Sequence, residues 1–263
     1  MIGAIIQARM GSSRLPEKVM MNIDGKNPML FFVVRQLQSC KLLKELVIAT
    51  TDLKEDDVIA DYAAKIHIKC FRGNAQDVLD RYYRCAKEFS FSTIVRITSD
   101  CPLIDPQIVD NIINEFNMNS YDYVTNTLVR TFPYGTDVEV FSLNALESAW
   151  RNANLPSERE HVTPFIRNHN KIFKIHNIES IEDLSNLSWT VDRVEDLNLV
   201  RTILAKINKR PILMQDILDL FSKDPKLFEI NKNHMSNEGY LKSLMEDEKK
   251  LKLNLRDVKE KNE

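Results

Sequence analysis

Ile2-Gly3-Ala4-Ile5-Ile6-Gln7-Ala8-Arg9-Met10-Gly11-Ser12-Ser13-Arg14-Leu15-Pro16-Glu17-Lys18 opens the chain, and its reading decides the fold. The apolar run that ends at Ala8 has the length of a buried strand, and it breaks into a loop rich in cations and hydroxyls. Gly11 lets backbone approach a ligand closely, Ser12 and Ser13 offer hydroxyls, and Arg9, Arg14 and Lys18 supply positive charge suited to phosphate oxygens. A plain basic surface loop has the same composition. The spacing matches neither the G-x-x-x-x-G-K-[ST] of a P-loop nor the G-x-G-x-x-G of a dinucleotide fold.

Outward from this stretch, strands alternate with helices. Apolar spacing predicts a helix over 29–43, a strand over 45–51, a helix over 56–65 and a strand over 66–71. A helix over 78–89 and a strand over 93–98 follow, and the strand runs into Ser99-Asp100-Cys101-Pro102. This alternation predicts a three-layer α/β fold, a mostly parallel sheet flanked by helices with its ligand beyond the carboxyl ends of the strands. Further along come a helix over 106–118, strands over 121–125 and 137–141, a helix over 143–152 and a helical stretch over 158–166. Strands over 172–178 and 187–191, the latter delivering Asp192, precede helices over 194–208 and 214–222. The charged run from Glu246 has few apolar anchors and reads as solvated or frayed, with partner binding the alternative. Residues 1–205 form the main domain, with halves at 1–125 and 126–205, and 206–263 a helical C-terminal extension.

Composition narrows the function classes. With 263 residues, 43% hydrophobic and 28% charged, the chain reads as an ordinary globular protein. A net charge of -2 gives no global field for nucleic acid, so anion binding must be local. No apolar stretch has the length of a membrane span and no signal peptide is legible, so the expected location is cytoplasmic and no membrane partner is expected. Cys40, Cys70, Cys85 and Cys101 include no C-x-x-C pair and read as reduced thiols.

Asp100 and Asp192 each follow a strand at its carboxyl end. Two carboxylates there, near a basic phosphate loop, suit a magnesium ion that completes its shell with phosphate and water. The alternative is that Asp192 caps the helix from 194 and Asp100 caps a turn. Alternation over 137–141 puts Asp137 and Glu139 on one strand face, as sugar-hydroxyl or metal ligands or as an exposed face. Arg159 and His161 are candidates to pair with an acidic acceptor, although a lone histidine on a helix is commonly structural.

Ala8-Arg9-x-x-Ser12-x-Arg14-Leu15-Pro16-x-Lys18 resembles the nucleotide-binding signature of the cytidylyltransferases that activate acidic sugars, and within them the spore-coat polysaccharide biosynthesis protein F branch. Val95-Arg96-Ile97-Thr98-Ser99-Asp100 looks like the superfamily's metal-aspartate motif and Trp189-Thr190-Val191-Asp192 like its second one. Phe71-Arg72-Gly73 and Asp77-Val78-Leu79-Asp80-Arg81-Tyr82 resemble the stretch that lines the nucleotide, and Asn237-Glu238-Gly239-Tyr240 the tail of the spore-coat branch. The resemblance runs from residue 2 to about residue 205. It implies a nucleotide-diphospho-sugar transferase-like, Rossmann-like sheet with a small mixed substrate and dimerisation lobe.

It further implies that Ala8, Arg9, Gly11, Ser12, Arg14, Lys18, Arg72, Arg96 and Thr98 lie about CTP. Asp100 and Asp192 would hold Mg2+, and Arg14, Lys18 and Asp100 would be catalytic. Tyr134, Asp137, Glu139, Arg159 and His161 would meet an acidic small-molecule acceptor. Related enzymes pair as homodimers, so a homodimer is expected. Where the sugar-acid enzymes carry a Gln-Gly-Asp-Glu-Pro type segment, this chain has Thr98-Ser99-Asp100-Cys101-Pro102. Two rival readings are a metal-dependent glycosyltransferase, against which Pro102 stands where an Asp-x-Asp motif would end, and a non-catalytic nucleotide-binding protein.

Overall fold

The computed structural model describes residues 1–231 and 238–260. Asn237 of the tail motif and residues 261–263 of the charged run lie outside them. The sheet comprises β1 (Ile2–Gln7), β2 (Glu45–Thr51), β3 (Lys69–Gly73), β4 (Thr93–Thr98), β5 (Tyr123–Thr125), β6 (Glu139–Ser142) and β7 (Ile175–Asn177), in the order β3-β2-β1-β4-β6-β5-β7. Only β6 runs antiparallel to its neighbours, β4 and β5.

Helices α1 (Met29–Leu37), α2 (Asp57–Lys65), α3 (Val78–Glu88), α4 (Pro106–Met118), α5 (Leu143–Asn152), α6 (Pro156–His161) and α7 (Pro164–Asn168) surround it, followed by α8 (Val194–Lys206), α9 (Met214–Lys223) and α10 (Glu238–Glu260). Strand alternation sorts the core into two layers. Ala4, Ile6, Ile48, Val95 and Ile97 pack with α1, α2 and α4, whereas Ile5, Val47, Ala49 and Ile94 pack with α3, α5 and α7. This explains why the central strands are apolar on both sides. A Cβ at Gly3 would lie 2.3 Å from the Phe91 ring, so glycine there lets that ring close over β1.

Helix starts follow their caps: Asp105 Oδ1 accepts from the Gln107 amide at 2.7 Å ahead of Pro106, and Ser142 Oγ accepts from the Ala145 amide at 3.1 Å. A third cluster joins Leu15, Trp189 and Val191 to α8 and to Ile212, Ile217, Phe221 and Leu227. Strand order reverses at β1, whose neighbours are β2 and β4, so the carboxyl ends of β1 and β4 flank the crevice in which such sheets bind ligands.

One expectation is corrected. Residues 187–191 form no strand, because their hydrogen bonds go singly to different neighbours: Tyr134 N donates to Leu187 O at 3.0 Å, Trp189 N to Tyr134 O at 2.9 Å and Val191 N to Asp100 O at 2.8 Å. The run from Glu246 continues α10, which begins at Glu238; the run's described side chains are solvated as expected, except Asp247, which ties the helix to α6 by accepting from the Ser157 amide through Oδ1 at 2.9 Å.

Candidate active site

The turn after β1 is shaped by its own backbone and by one distant carboxylate. Met10 O accepts from the amides of Ser12 at 2.8 Å and Glu17 at 3.0 Å, so the loop doubles back. Buried Asp56 receives the Met10 amide at 2.7 Å and the Thr51 hydroxyl, which ties the turn to β2. Leu15 sinks into the third cluster, and its flanking cations Arg14 and Lys18 are thereby set beside the cleft.

Lys18 is where distant parts of the chain converge. Its Nζ donates to Asp100 Oδ2 at 3.2 Å, Asp192 Oδ1 at 2.8 Å and Val191 O at 2.7 Å. Arg14 Nη2 lies 2.7 Å from the same Asp192 Oδ1. Asp100 reaches this point from the end of β4, and the Val191 amide bound to its carbonyl brings Asp192 alongside. Asp192 does not cap α8: Arg193 is the N-cap residue, and Asp196 in the first turn reaches back so that its Oδ2 accepts from the amides of Asp192 at 3.0 Å and Arg193 at 2.8 Å. The Asp192 carboxylate is thereby left to the cations.

Electrostatics holds this cluster ionised. Burial opposes charge on Asp100, but the Lys18 ammonium and hydrogen bonds from Thr98, Lys18 and Cys101 outweigh it and keep the carboxyl below its ordinary range. Burial likewise opposes charge on Lys18, and the two aspartates overcome it and raise the ammonium above its usual value. Beside them opens a cleft of about 660 Å³, lined among others by Arg14, Asp100, Asp192, Tyr134 and Tyr240.

Gly135, at φ +98°, lets the Tyr134 turn close against this wall; a Cβ there would lie 2.7 Å from Trp189 Cδ1 and 2.9 Å from Thr190 N.

The structure divides the residues picked from the sequence. Arg14, Thr98, Asp100, Tyr134, Asp137, His161 and Asp192 line the cleft, with Lys18 at its edge bonded to both acids. Asp137 is held by Arg130 through two 2.8 Å contacts, and the Arg130 guanidinium sits 3.7 Å from the centre of the Tyr134 ring. Ser12 Oγ accepts from the Leu15 amide at 3.4 Å within the turn, next to Gly11. Ala8 is buried, with its amide on Ala49 O at 3.1 Å, and Arg9 pairs with Glu160 at 3.0 Å.

Others are drawn elsewhere. Arg72 is spent on Thr51 O at 3.0 Å, Leu53 O at 2.9 Å and Asp57, at the β2–β3 edge. Arg159 grips Asp77 and donates to Trp150 O at 2.8 Å. Glu139 corrects the reading of paired carboxylates: it is buried at the direct cross-strand partner of Arg96, pairs with it, and accepts from Tyr123 Oη at 2.6 Å and Thr163 Oγ1. It shares no exposed face with Asp137, and Arg96, paired with it beneath the site, does not line the cleft. His161 accepts or donates one hydrogen bond with Ser243 Oγ at 3.0 Å, and burial together with nearby Arg96 and Arg167 pushes its pKa down to about 4. Sequence reasoning missed Asp56, Arg193 and Glu160, whose roles arise from contacts with other segments, and Arg130, which holds Asp137 across a loop.

A parallel-sheet crevice with a cationic turn on one side and two convergent carboxylates on the other defines a nucleotidyltransferase of the α/β class. The chain belongs to the cytidylyltransferase family, whose model matches residues 3–254. It is 33% identical to the spore coat polysaccharide biosynthesis protein SpsF of Bacillus subtilis over 84% of this chain and 94% of that one. It is 31% identical to a 3-deoxy-manno-octulosonate cytidylyltransferase of Chlorobium chlorochromatii over 43% and 44% of the two chains. A solved cytidylyltransferase from Leptospira borgpetersenii serovar Hardjo-bovis superposes with a TM-score of 0.83 at 33% identity, over 90% of this chain and 99% of that one.

Proposed function

We propose that this protein transfers CMP from CTP to an acidic sugar or related small acceptor, with release of pyrophosphate, in the synthesis of surface polysaccharide or glycoconjugate. The observation that carries the reading is the meeting of Lys18, Asp100 and Asp192 at one point beside the cleft. An acceptor hydroxyl oxygen forms a bond to the α-phosphorus while the bond from that phosphorus to the bridging oxygen of the β-phosphate breaks. Pyrophosphate departs with that bond's electron pair. Arg14 and Lys18 offset its charge, and the hydroxyl proton passes to solvent. Such a reaction is accelerated chiefly by positioning and charge neutralisation, which fits a site built of fixed cations.

Magnesium is part of the proposal. Asp100 Oδ2 and Asp192 Oδ1 already converge on a single cation, the Lys18 ammonium, and two carboxylates plus phosphate and water are a donor set that magnesium accepts. When bound, the ion would neutralise phosphate charge and lower the barrier to attack. Asp100 and Asp192 would hold it, with Lys18 moving toward the phosphates.

The expected homodimer is proposed to form through the β5 and β7 side of the sheet. Exposed Leu128, Val129, Ile172 and Ile181 flank those strands there. A cytoplasmic site of action fits an enzyme that draws on CTP, and no described helix is long and apolar enough to cross a membrane.

The test is a pyrophosphate-release screen of the four nucleoside triphosphates against acidic acceptors, with and without Mg2+. The expected result is release from CTP with an acidic acceptor and only with the metal. Binding of CTP without turnover on any acceptor would favour a non-catalytic role, and transfer from a nucleotide sugar would favour a glycosyltransferase.

A further inference from the structure

The Glu238 carboxylate, in the first turn of α10, is held between two guanidiniums. Its Oε1 lies 2.7 Å from Arg193 Nη2 and its Oε2 3.6 Å from Arg14 Nη1. Arg193 follows Asp192 directly, and its backbone is fixed by the 2.8 Å hydrogen bond to Asp196. Among the described residues that line the cleft, Arg14 and Arg193 alone are arginine or lysine, whereas Asp100, Asp137, Asp192 and Asp196 make the wall acidic.

An anionic acceptor entering such a cleft needs a cation of its own. Lys18 is committed to the two aspartates, and Arg14 belongs to the turn that meets the triphosphate and is paired with Asp192. Arg159 is held by Asp77, and His161 is neutral near pH 7 because burial and the neighbouring arginines depress its pKa. Arg193 remains: its side chain is 43% exposed, and its fork suits a carboxylate.

We propose that Arg193 receives the carboxylate of the acceptor, and that Glu238 is the internal anion this carboxylate displaces. This rests on the transferase reading above. A tethered carboxylate competes at an effective concentration in the millimolar range. The first turn of the C-terminal helix thus sets a threshold that an acid crosses and a neutral sugar does not. Glu238 leaves Arg14 when triphosphate binds and leaves Arg193 when the acceptor does.

The experiment compares wild type, Arg193→Gln, Arg193→Lys and Glu238→Gln. CTP binding is measured by calorimetry, and pyrophosphate release is measured against 3-deoxy-manno-octulosonate, N-acetylneuraminate and, as the neutral probe, glucose. For the acid that wild type uses, Arg193→Gln should raise KM by about 10- to 100-fold, the worth of a charge-assisted hydrogen bond, with kcat and the Kd for CTP little changed. Arg193→Lys should recover part of this loss. Glu238→Gln should lower the same KM, a change of opposite sign that general disruption of the site would not produce.

A KM unmoved in Arg193→Gln, a KM raised in Glu238→Gln, or use of glucose in preference to both acids overturns the proposal, as does wild type that binds CTP but neither acid. If wild type binds no CTP, the transferase reading falls. The seat is then judged by direct calorimetric binding of the two acids, which Arg193→Gln must weaken and Glu238→Gln must strengthen.

Discussion

Arg96 with Glu139 and Lys18 with Asp100 and Asp192 are both ionic clusters at the central strands, but they leave their carboxylates in different circumstances. Glu139 is closed in on every side, with Arg96, Tyr123 and Thr163 satisfying it in the core. Asp100 and Asp192 keep side-chain exposures of 26% and 30% and face a cleft, with a single ammonium shared between them. The first cluster fixes how β4 and β6 meet. The second keeps charge in readiness for a ligand that brings its own. Burial alone does not mark a functional charge; an unshared face does.

Arg96→Met tests the closed cluster hardest. It strands a buried carboxylate and should cost about 3–5 kcal/mol, read by urea unfolding, while replacing both partners by apolar residues should restore most of the loss. An unchanged midpoint in the single variant would erase the contrast. In the open cluster, Lys18→Ala should reduce turnover by about 10²- to 10³-fold. Its unfolding midpoint should move little, since the two aspartates can still reach water. Asp100→Ala should behave the same way, and near-normal rates in either would remove the site.

His161 sharpens the comparison through pH. It is neutral in the fold, with its pKa depressed from 6.5 to about 4, so between these values the unfolded chain binds the extra proton. Stability is then fully present above pH 6.5 and is lost as pH falls toward 4, by up to about 3 kcal/mol. His161→Gln should flatten that limb of a melting-temperature profile. The smallest effect is expected at Asp56, outside both clusters. Asp56→Ala leaves the Met10 amide unsatisfied, at about 1–3 kcal/mol, and should raise the KM for CTP as the turn loosens.

The central strands were legible because a strand covered on both faces is a continuous apolar run, and β2, β4 and α4 fall where the pattern puts them. Lys18, Asp100 and Asp192 were legible because each stands at a break in such a pattern. Glu139 was misread because alternation places two residues on one face without saying whether that face meets water or a neighbouring strand. That depends on the register of β6 against β4. Arg159 and Arg72 read as free cations because their partners, Asp77 and Asp57, are on other elements. Residues 187–191 have strand-like composition, but their partners are single and scattered, which no local pattern encodes.

Those scattered partners have a bearing on when the protein becomes competent during synthesis. The β1–β4 layer is complete in the first hundred residues and can fold as the chain leaves the ribosome. The second acid arrives only when the segment after Leu187 docks on Tyr134 and Asp100 through three single bonds. A nascent chain released before that point would keep the strands of its sheet but lack both the second acid and the cluster that seats Leu15 of the basic turn, so premature termination yields a silent protein rather than a careless one.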